Sequence, residues 1–433
     1  MFRERRWRRY QYNFLTNHKV WERYLPEFER DIDSLSNSFE GPEAGLAEFE
    51  RARQLVLRYV EIHLLSLLFA NLSYQLLGVA LRRWVGDRDH QILAALSSAP
   101  TRNRTVDGHK AIWKLASLAQ QLPAVDRALT APDGPPSLEV LGQLPDGQLF
   151  VDAVRAFLDE YGHRSSASWE IFAPRWCEEP GQVLRMIAGY LEGGLHTDPF
   201  LNEERHRQAY LAARETLGRA LRPGRLGLPS WKGPSTRALA ELTRSYMRLR
   251  ENQRFYFDRL LFRIKDIYMR VGEQLVQRGQ LARADDVVLL TQDEVAELVA
   301  GTLAADVAAE RIATRRAETQ RDCDVNHPDF LVGDGMPVPS AMDERRVLHG
   351  QGISPGRIRG KVRVLKDLSD ARKLQRGDIL VTRATDPGWT PLFLTAGGLV
   401  MELGSLLSHG AVVAREYALP AVVNVTNATR RLH

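Results

Sequence analysis

From Met1 to about Leu122, apolar residues recur at intervals of three and four, the period of helices that bury one face. Pro123 to Gly147 breaks that period with Ala-Pro-Asp-Gly-Pro-Pro and predicts a loop. A helix is predicted around Phe150 to Tyr161. An irregular segment rich in Trp, Arg and Pro follows to Pro180, and helix resumes near Gly181. Arg222 to Ser235 is a second Pro/Gly break, after which one long helix runs from about Thr236 to Gly279. Asp285 to Leu290 is a short apolar run that predicts an extended piece. Thr291-Gln292-Asp293-Glu294 then has the spacing of a capping box, with Thr291 as N-cap and Glu294 reaching back. A last helix reaches the region of Gln320.

The period changes beyond Asn326 to Pro339, where Pro328, Gly333, Gly335, Pro337 and Pro339 predict a linker. Short β-type runs follow at Gly360 to Leu365, Asp378 to Thr382, Gly398 to Glu402 and Pro420 to Val425. Turns such as Ser354-Pro355-Gly356 and Arg376-Gly377-Asp378 separate them, and one short helix lies at about Gly410 to Tyr417. The expected architecture is multidomain, α and α/β. A large, mainly helical substrate domain spans 1–325, a linker 326–345, and a small domain 346–433.

Composition changes this picture little. A chain of 433 residues with 44% hydrophobic and 26% charged positions is an ordinary folded protein of two or three domains. The formal charge of +5 is carried mostly by Arg spread along helices beside Glu and Asp. That is not the basic patch of a nucleic-acid binder, and the run from Arg3 to Arg9 reads as a helix start. The two cysteines, Cys177 and Cys323, form no disulfide framework and suit a reducing cytoplasm. The charged N-terminus is unlike a signal peptide. Leu55 to Val85 is strongly apolar, but Arg58, Glu61 and His63 interrupt it, so it is expected as a buried bundle helix outside any membrane. The histidines are scattered, and no protein-built metal site is expected.

The chemistry concentrates in Glu402-Leu-Gly404-Ser405-Leu-Leu-Ser408-His409-Gly410-Ala411-Val-Val-Ala414-Arg415-Glu416. A strand leads into a Gly/Ser turn, then His409, then a helix. A helix start offers unpaired N–H groups and the positive end of the dipole to a phosphoryl group. Gly404 and Gly410 permit close backbone approach. Ser405 and Ser408 can donate to phosphate oxygens, and neutral imidazole is a nucleophile near pH 7. Position alone leaves His409 open, since a lone His at a helix start also serves as a cap or a surface residue.

The string Ser408-His409-Gly-Ala-Val-Val-Ala-Arg-Glu-Tyr-Ala-Leu-Pro-Ala-Val resembles the phosphohistidine signature of phosphoenolpyruvate-utilising enzymes: phosphoenolpyruvate synthases, pyruvate phosphate dikinases and rifampin phosphotransferases. Gly352-Ile-Ser354-Pro355-Gly356-Arg-Ile-Arg-Gly360, Arg376-Gly377-Asp378-Ile-Leu-Val and Thr385-Asp386-Pro387-Gly388-Trp389-Thr390-Pro391 resemble the rest of the same domain, in order. The resemblance implies a swivelling β/β/α domain whose histidine, here His409, carries a phosphoryl group between two sites. It places Thr385, Asp386 and Ser408 beside the phosphohistidine. Two positions depart from the family, which has Gly at Ser405 and at Ala418. Relatives also continue beyond His433 with another strand pair, so either the domain is incomplete at its C-terminal end or its sheet is completed differently.

The helical region resembles rifampin phosphotransferases too. Tyr161-Gly162-His163-Arg164, with Pro174-Arg175-Trp176, matches their tyrosine-glycine-x-arginine segment. Arg250-Glu251-Asn-Gln-Arg254 matches their Arg-Glu-x-x-Lys helix, with Arg in place of Lys. By resemblance Arg164, His163 and Glu251 are substrate-side residues; a buried structural pair is the other reading of His163 and Arg164. Arg250 and Arg254, four apart on one helix face, can clamp a transferring phosphoryl group; a solvated Arg face paired with Glu251 is the other possibility. No Walker-type loop or ATP-grasp segment is found. The resemblance therefore implies a separate ATP-grasp domain or subunit that supplies ATP and Mg²⁺. The expected function is phosphotransfer through His409 to an alcohol or phenol, for which aromatics near Phe255 to Phe257 and Trp169 to Trp176 are suited. Alternatives are a ligase driven by a phosphorylated intermediate and a non-catalytic scaffold.

Overall fold

A computed structural model describes residues 12–432 except 37, 89, 99–102, 166–169, 193–194, 196–197, 222–230, 324–330, 333–335, 338–346, 367–369, 371–372, 386–388 and 406–407. The N-terminal basic run, Trp169, Asp386 and most of the predicted linker lie outside the described residues. The chain forms two compact units: residues 1–29, 58–259 and 349–433, and residues 30–57 and 260–348. Helices α1 (Asn17–Ser34), α2 (Pro42–Trp84) and α7 (Lys232–Gln277) contribute residues to both.

The first unit holds α3 (Arg104–Gln120), α4 (Gly147–Tyr161), α5 (Gly181–Glu192) and α6 (Pro199–Ala220). An aromatic cluster knits α1 to the long helices: Trp21 lies against Phe28, Tyr59 and Tyr256, and Tyr59 stacks on Phe257 at 4.5 Å. Pro123 to Gly147, expected as a loop, instead holds two short helices, Pro123–Leu129 and Leu138–Gly142. Pro123 sits in the first turn, where its missing N–H costs nothing, and Ser137 caps the second through Val140 N–H.

Helix α2 was expected to be buried, and one face of it is. Phe69, Ala70, Tyr74 and Leu77 enter the core. The opposite face exposes Leu64, Leu68, Leu72, Leu76 and Val79. Its most apolar window is half buried inside the fold, although by length and composition alone the helix could cross a membrane.

The same unit contains the predicted α/β domain. Strands β1 (Gln351–Ser354), β2 (Val362–Val364), β3 (Ile379–Thr382), β4 (Gly398–Met401) and β5 (Ala421–Val423) lie in the order β1-β5-β4-β3-β2. All neighbours are parallel except β1 and β5. Helix α10 (His409–Glu416) covers a core of Leu380, Phe393, Leu399, Met401, Val413 and Leu419. The closing segment is a short helix, Ala428–Arg431, and Glu402 ties it to the end of β4 by accepting from Thr429 N–H at 2.8 Å and Thr429 Oγ1 at 2.6 Å. Ala418 has φ 50°, in the left-handed region; a side chain there costs about 1 kcal/mol relative to glycine.

In the second unit, α8 (Gln292–Ala300) and α9 (Ala305–Cys323) pack Val295, Leu298 and Ile312 against Val271, Leu275 and Val287. The predicted capping box is present: Thr291 Oγ1 accepts from Glu294 N–H, and Glu294 accepts from Thr291 N–H. Arg311 and Arg315 also donate to Glu294, and these bonds hold its carboxyl down at about 2. Asp285 to Leu290 is not extended but a 3-10 turn, Ala284–Leu289. Asp286 accepts from Arg283 N–H and pairs with Arg316, and that local bonding outweighs the β preference of Val287 and Val288.

Candidate functional site

His409 is the first residue of α10, and Ser408 is its N-cap. The His409 side chain lies outside the described residues. Ser408 does not cap the helix with its side chain; its hydroxyl donates to the Ser405 carbonyl at 3.0 Å. The first-turn N–H groups are thus left to other acceptors, the arrangement that suits an anion. Gly410 is required here. A Cβ at this position would lie 2.2 Å from Thr385 Oγ1 and 3.0 Å from Met401 Cε, so only glycine lets the helix start sit against the loop after β3. Ser405 is exposed in the turn, and Thr385 is half-buried, with its hydroxyl 3.4 Å from Met401 Sδ.

The helical half of the site is built on α7. Arg250, Arg254 and Asp258 recur every four residues and share one face. Their environment is not a solvated Arg face. Burial lowers the pKa of Arg250, whose Nη1 lies 3.4 Å from the buried Glu251 carboxylate. Asp258 is fully enclosed. Burial pushes its carboxyl up to about 6, against the opposing pull of Arg254, Arg164 and Arg175.

The segment after α4 brings Arg164 to the same place. Gly162 makes the turn: a Cβ there would meet Leu158 O at 2.3 Å and Cys177 Cβ at 2.8 Å. Two backbone bonds then bracket the arginine, Trp176 N–H to Arg164 O and Cys177 N–H to Gly162 O. Arg164 is 1% exposed, with Nε 3.8 Å from Asp258 Oδ2 and its guanidinium 5.7 Å from the Trp176 ring centroid. Arg175 is fully buried and donates from Nη2 to the carbonyls of Glu170 and Ile171. Nε and Nη2 of Arg164, and Nε and Nη1 of Arg175, have no hydrogen-bond partner among the described residues. Four guanidinium groups therefore surround two carboxylates in a water-poor interior, an excess of positive charge that favours an anion.

His163 stands edge-on to Phe255 at 4.6 Å. Burial, reinforced by Arg164 and Arg259, drives its pKa down to about 3, so the folded protein holds it neutral. The unfolded chain takes up this proton near 6.5, and His163 therefore lowers stability as pH falls below that value. From pH 7 to pH 5 the loss is about 2 kcal/mol. Asp258, raised to about 6, acts in the opposite direction over the same interval. Urea denaturation at pH 7 and pH 5 separates the two: His163→Asn is expected to lose about 2 kcal/mol less than the unaltered chain on acidification. Equal losses in both chains would show that His163 does not carry the effect.

A cleft with about 420 Å³ of empty space, open to solvent, joins the two halves. Asn103, His109, Asn202, His206 and Glu251 line it from the helices, and Val412, Val413 and Tyr417 from the α/β domain. Behind it, the Tyr417 ring lies 6.5 Å from His109, while Arg415 lies over Tyr74 at 5.8 Å.

Of the residues singled out in the sequence, Arg164 and Arg254 come together around Asp258, Arg250 pairs with Glu251 two turns earlier on α7, and His163 stands against Phe255, while Ser408, Gly410, Ser405 and Thr385 gather at the start of α10. Asp386 is outside the described residues. Sequence reasoning overlooked Asp258, although it continues the Arg250–Arg254 ladder by one more turn. It also overlooked His63, treated only as a charge interrupting an apolar run. His63 Nδ1 lies 3.0 Å from Gln253 Oε1, and Gln253 donates to Ser66, which donates to Asn17. Burial lowers the pKa of His63.

Two stretches of the chain match known families. Residues 63–251 match the family described as rifampicin phosphotransferase fourth domain, and residues 374–433 match the mobile domain of PEP-utilising enzymes. Rifampicin phosphotransferase of Streptomyces sviceus is 34% identical over 81% of this chain and 40% of its own length. That of Bacillus cereus is 30% identical over 93% of this chain and 48% of its own length. A prodigiosin synthesizing transferase of Serratia marcescens is 28% identical over 83% and 40%. The chain thus spans less than half the length of these curated relatives.

Proposed function

Starting from a chain that joins a rifampicin phosphotransferase fourth domain to the mobile domain of PEP-utilising enzymes, we propose that it is the carrier and acceptor half of a phosphotransferase. His409 takes a phosphoryl group from ATP at an ATP-grasp domain or subunit, which supplies the nucleotide and its Mg²⁺. It then delivers the group to a hydroxyl of a small alcohol or phenol held in the helical cleft. In the second step the P–N bond of phosphohistidine breaks and a P–O bond to the acceptor forms. Arg250 and Arg254 stabilise the charge that develops on the phosphoryl oxygens, and the chemistry is otherwise positioning. Arg164 and Arg175 surround Asp258 and keep that end of α7 positive, while Glu251 and His163 border the acceptor. Motion of the α/β domain carries His409 between the two sites.

The observation that carries this reading is the placement of α10. Its uncapped start holds His409, and Val412 and Val413, three and four residues on, line the cleft beside Glu251. The test is intact mass after mixing the protein with ATP, Mg²⁺ and an ATP-grasp protein encoded beside it. One added, acid-labile phosphoryl group is expected; no gain with any nucleotide or with phosphoenolpyruvate would sink the proposal. Arg254→Met is expected to slow discharge of the loaded carrier to an acceptor by about 10²- to 10³-fold while leaving loading unchanged. Equal losses in both steps would remove Arg254 from the transfer site. The kinship to a prodigiosin synthesizing transferase favours a second reading, in which the phosphorylated intermediate drives a condensation. Free phosphate without a phosphorylated product would mark it.

A further inference from the structure

The exposed face of α2 is the largest feature that this function leaves unused. Leu64, Leu68, Leu72, Leu76 and Val79 are 60%, 58%, 41%, 44% and 53% exposed. They follow one another at intervals of four, four, four and three, so they form a continuous stripe about 22 Å long on one side of the helix. The only other exposed residues between Leu64 and Val79 are Asn71 and Gln75, both uncharged. Tyr12 and Leu15, 59% and 64% exposed, widen the patch at one end, where Tyr12 Oη donates to Glu61 at 2.9 Å. Scattered single leucines on a surface need no explanation, but a contiguous patch of roughly 500 Å² is as large as the largest on an ordinary monomer, and such patches are often functional.

The charges at the two ends of the stripe point to its occupant. Turned about a point between Asn71 and Leu72, the stripe sets its two apolar ends against each other, and its two amides against leucines. In an antiparallel pair of α2 helices related by a two-fold axis there, Leu64 of one copy faces Val79 of the other. Leu68 faces Gln75, and Asn71 faces Leu72. Just outside the apolar stretch, Glu61 faces Arg82, with Arg83 beside it; all three are exposed. Opposite charges therefore meet at both ends of the pair, as an isologous interface requires. A parallel pair would set Glu61 against Glu61 and Arg82 against Arg82. A shallow crossing angle, as in helix bundles, keeps the two helices in contact along the whole stripe. The central Asn71 can fix the register, as a single polar residue does in a paired-helix seam. With Tyr12, Leu15 and the flanking polar side chains added to the stripe, each copy approaches the roughly 800 Å² that a stable interface buries per partner.

We propose that the chain forms a two-fold dimer through antiparallel α2 helices, with Leu64 to Val79 as the buried seam and Glu61–Arg82 pairs closing both ends. The test is the mass in solution by light scattering on the full chain. The expected value is twice the 49.0 kDa of one chain, falling to one chain mass in Leu68→Glu. Glu61→Arg alone is expected to weaken association at least about 10-fold, and Glu61→Arg combined with Arg82→Glu to restore it, a rescue that a folding defect would not give. Leu72→Cys, in a chain whose Cys177 and Cys323 are changed to Ser, is expected to cross-link to itself under mild oxidation. A monomer at micromolar concentration, a dimer that survives Leu68→Glu, or a charge swap without rescue would each overturn the proposal. So would a monomer that binds vesicles of neutral phospholipid through Leu68, which would assign the face to a membrane. None of these readouts depends on phosphotransfer, so the dimer and the phosphocarrier stand or fall separately.

Discussion

His409→Asn is expected to cut phosphoryl transfer to an acceptor by at least about 10³-fold, because removing the group that carries the covalent bond removes the route itself. The substitution keeps a polar side chain at the start of α10 and leaves Gly410, against Thr385, in place. Folding is therefore expected to be intact, with an unchanged thermal midpoint. The measurement is a paired one: acid-labile label on the protein from ATP, and label passed on to an alcohol or phenol. Both should vanish together. Label that persists on the variant would move the carrier role to another residue. Loss of the label with full retention of biological activity would favour a scaffold that has kept the fold.

Asp258→Leu has the largest expected effect on stability. The carboxylate is the one anion shared by Arg164, Arg175 and Arg254. Without it, two fully buried guanidinium groups, each with N–H groups already lacking acceptors, lose their counter-charge. Breaking one side of a buried charge cluster in this way costs about 3–5 kcal/mol. Urea denaturation at pH 7 measures it. A cost under about 1 kcal/mol would mean that water reaches the cluster. Inorganic phosphate at constant ionic strength is expected to recover part of the loss, because the same guanidinium groups then find an anion.

These two residues also show what the sequence makes legible. The setting of His409 was legible because it is local: strand, Gly/Ser turn, histidine and helix are contiguous, and each element follows from short-range pattern. The Thr291–Glu294 capping box was legible for the same reason. Asp258 could not be weighted from sequence. Its importance comes from Arg164 and Arg175, which are distant in the chain and reach it only after Gly162 turns the segment behind α4 back on itself. Arg250 and Arg254 illustrate the intermediate case. Their shared face follows from helix period, but whether that face meets water or Asp258 is set by packing. The errors have the same origin. The 3-10 turn at Ala284–Leu289 is decided by Asp286 reaching Arg316 on α9, not by the apolar run. The apolar residues of α2 exceed what one core can cover, and periodicity does not say which of its two faces the fold will use.

Helix α10 has its reactive position at one end and its anchorage at the other. Tyr417 and Arg415, at the tail, hold the α/β domain to the helices through His109 and Tyr74. A phosphoryl group on His409 adds close to two negative charges at the head and leaves the tail contacts chemically unchanged. The docked state therefore has a grip common to loaded and empty carrier and a head that differs between them. In the proposed transfer, loading changes how long the domain stays docked while the tail stays the same, and discharge removes that preference at the moment the acceptor is modified. On that reading the same helix is both the arm that presents the group and the latch that lets go of the spent one.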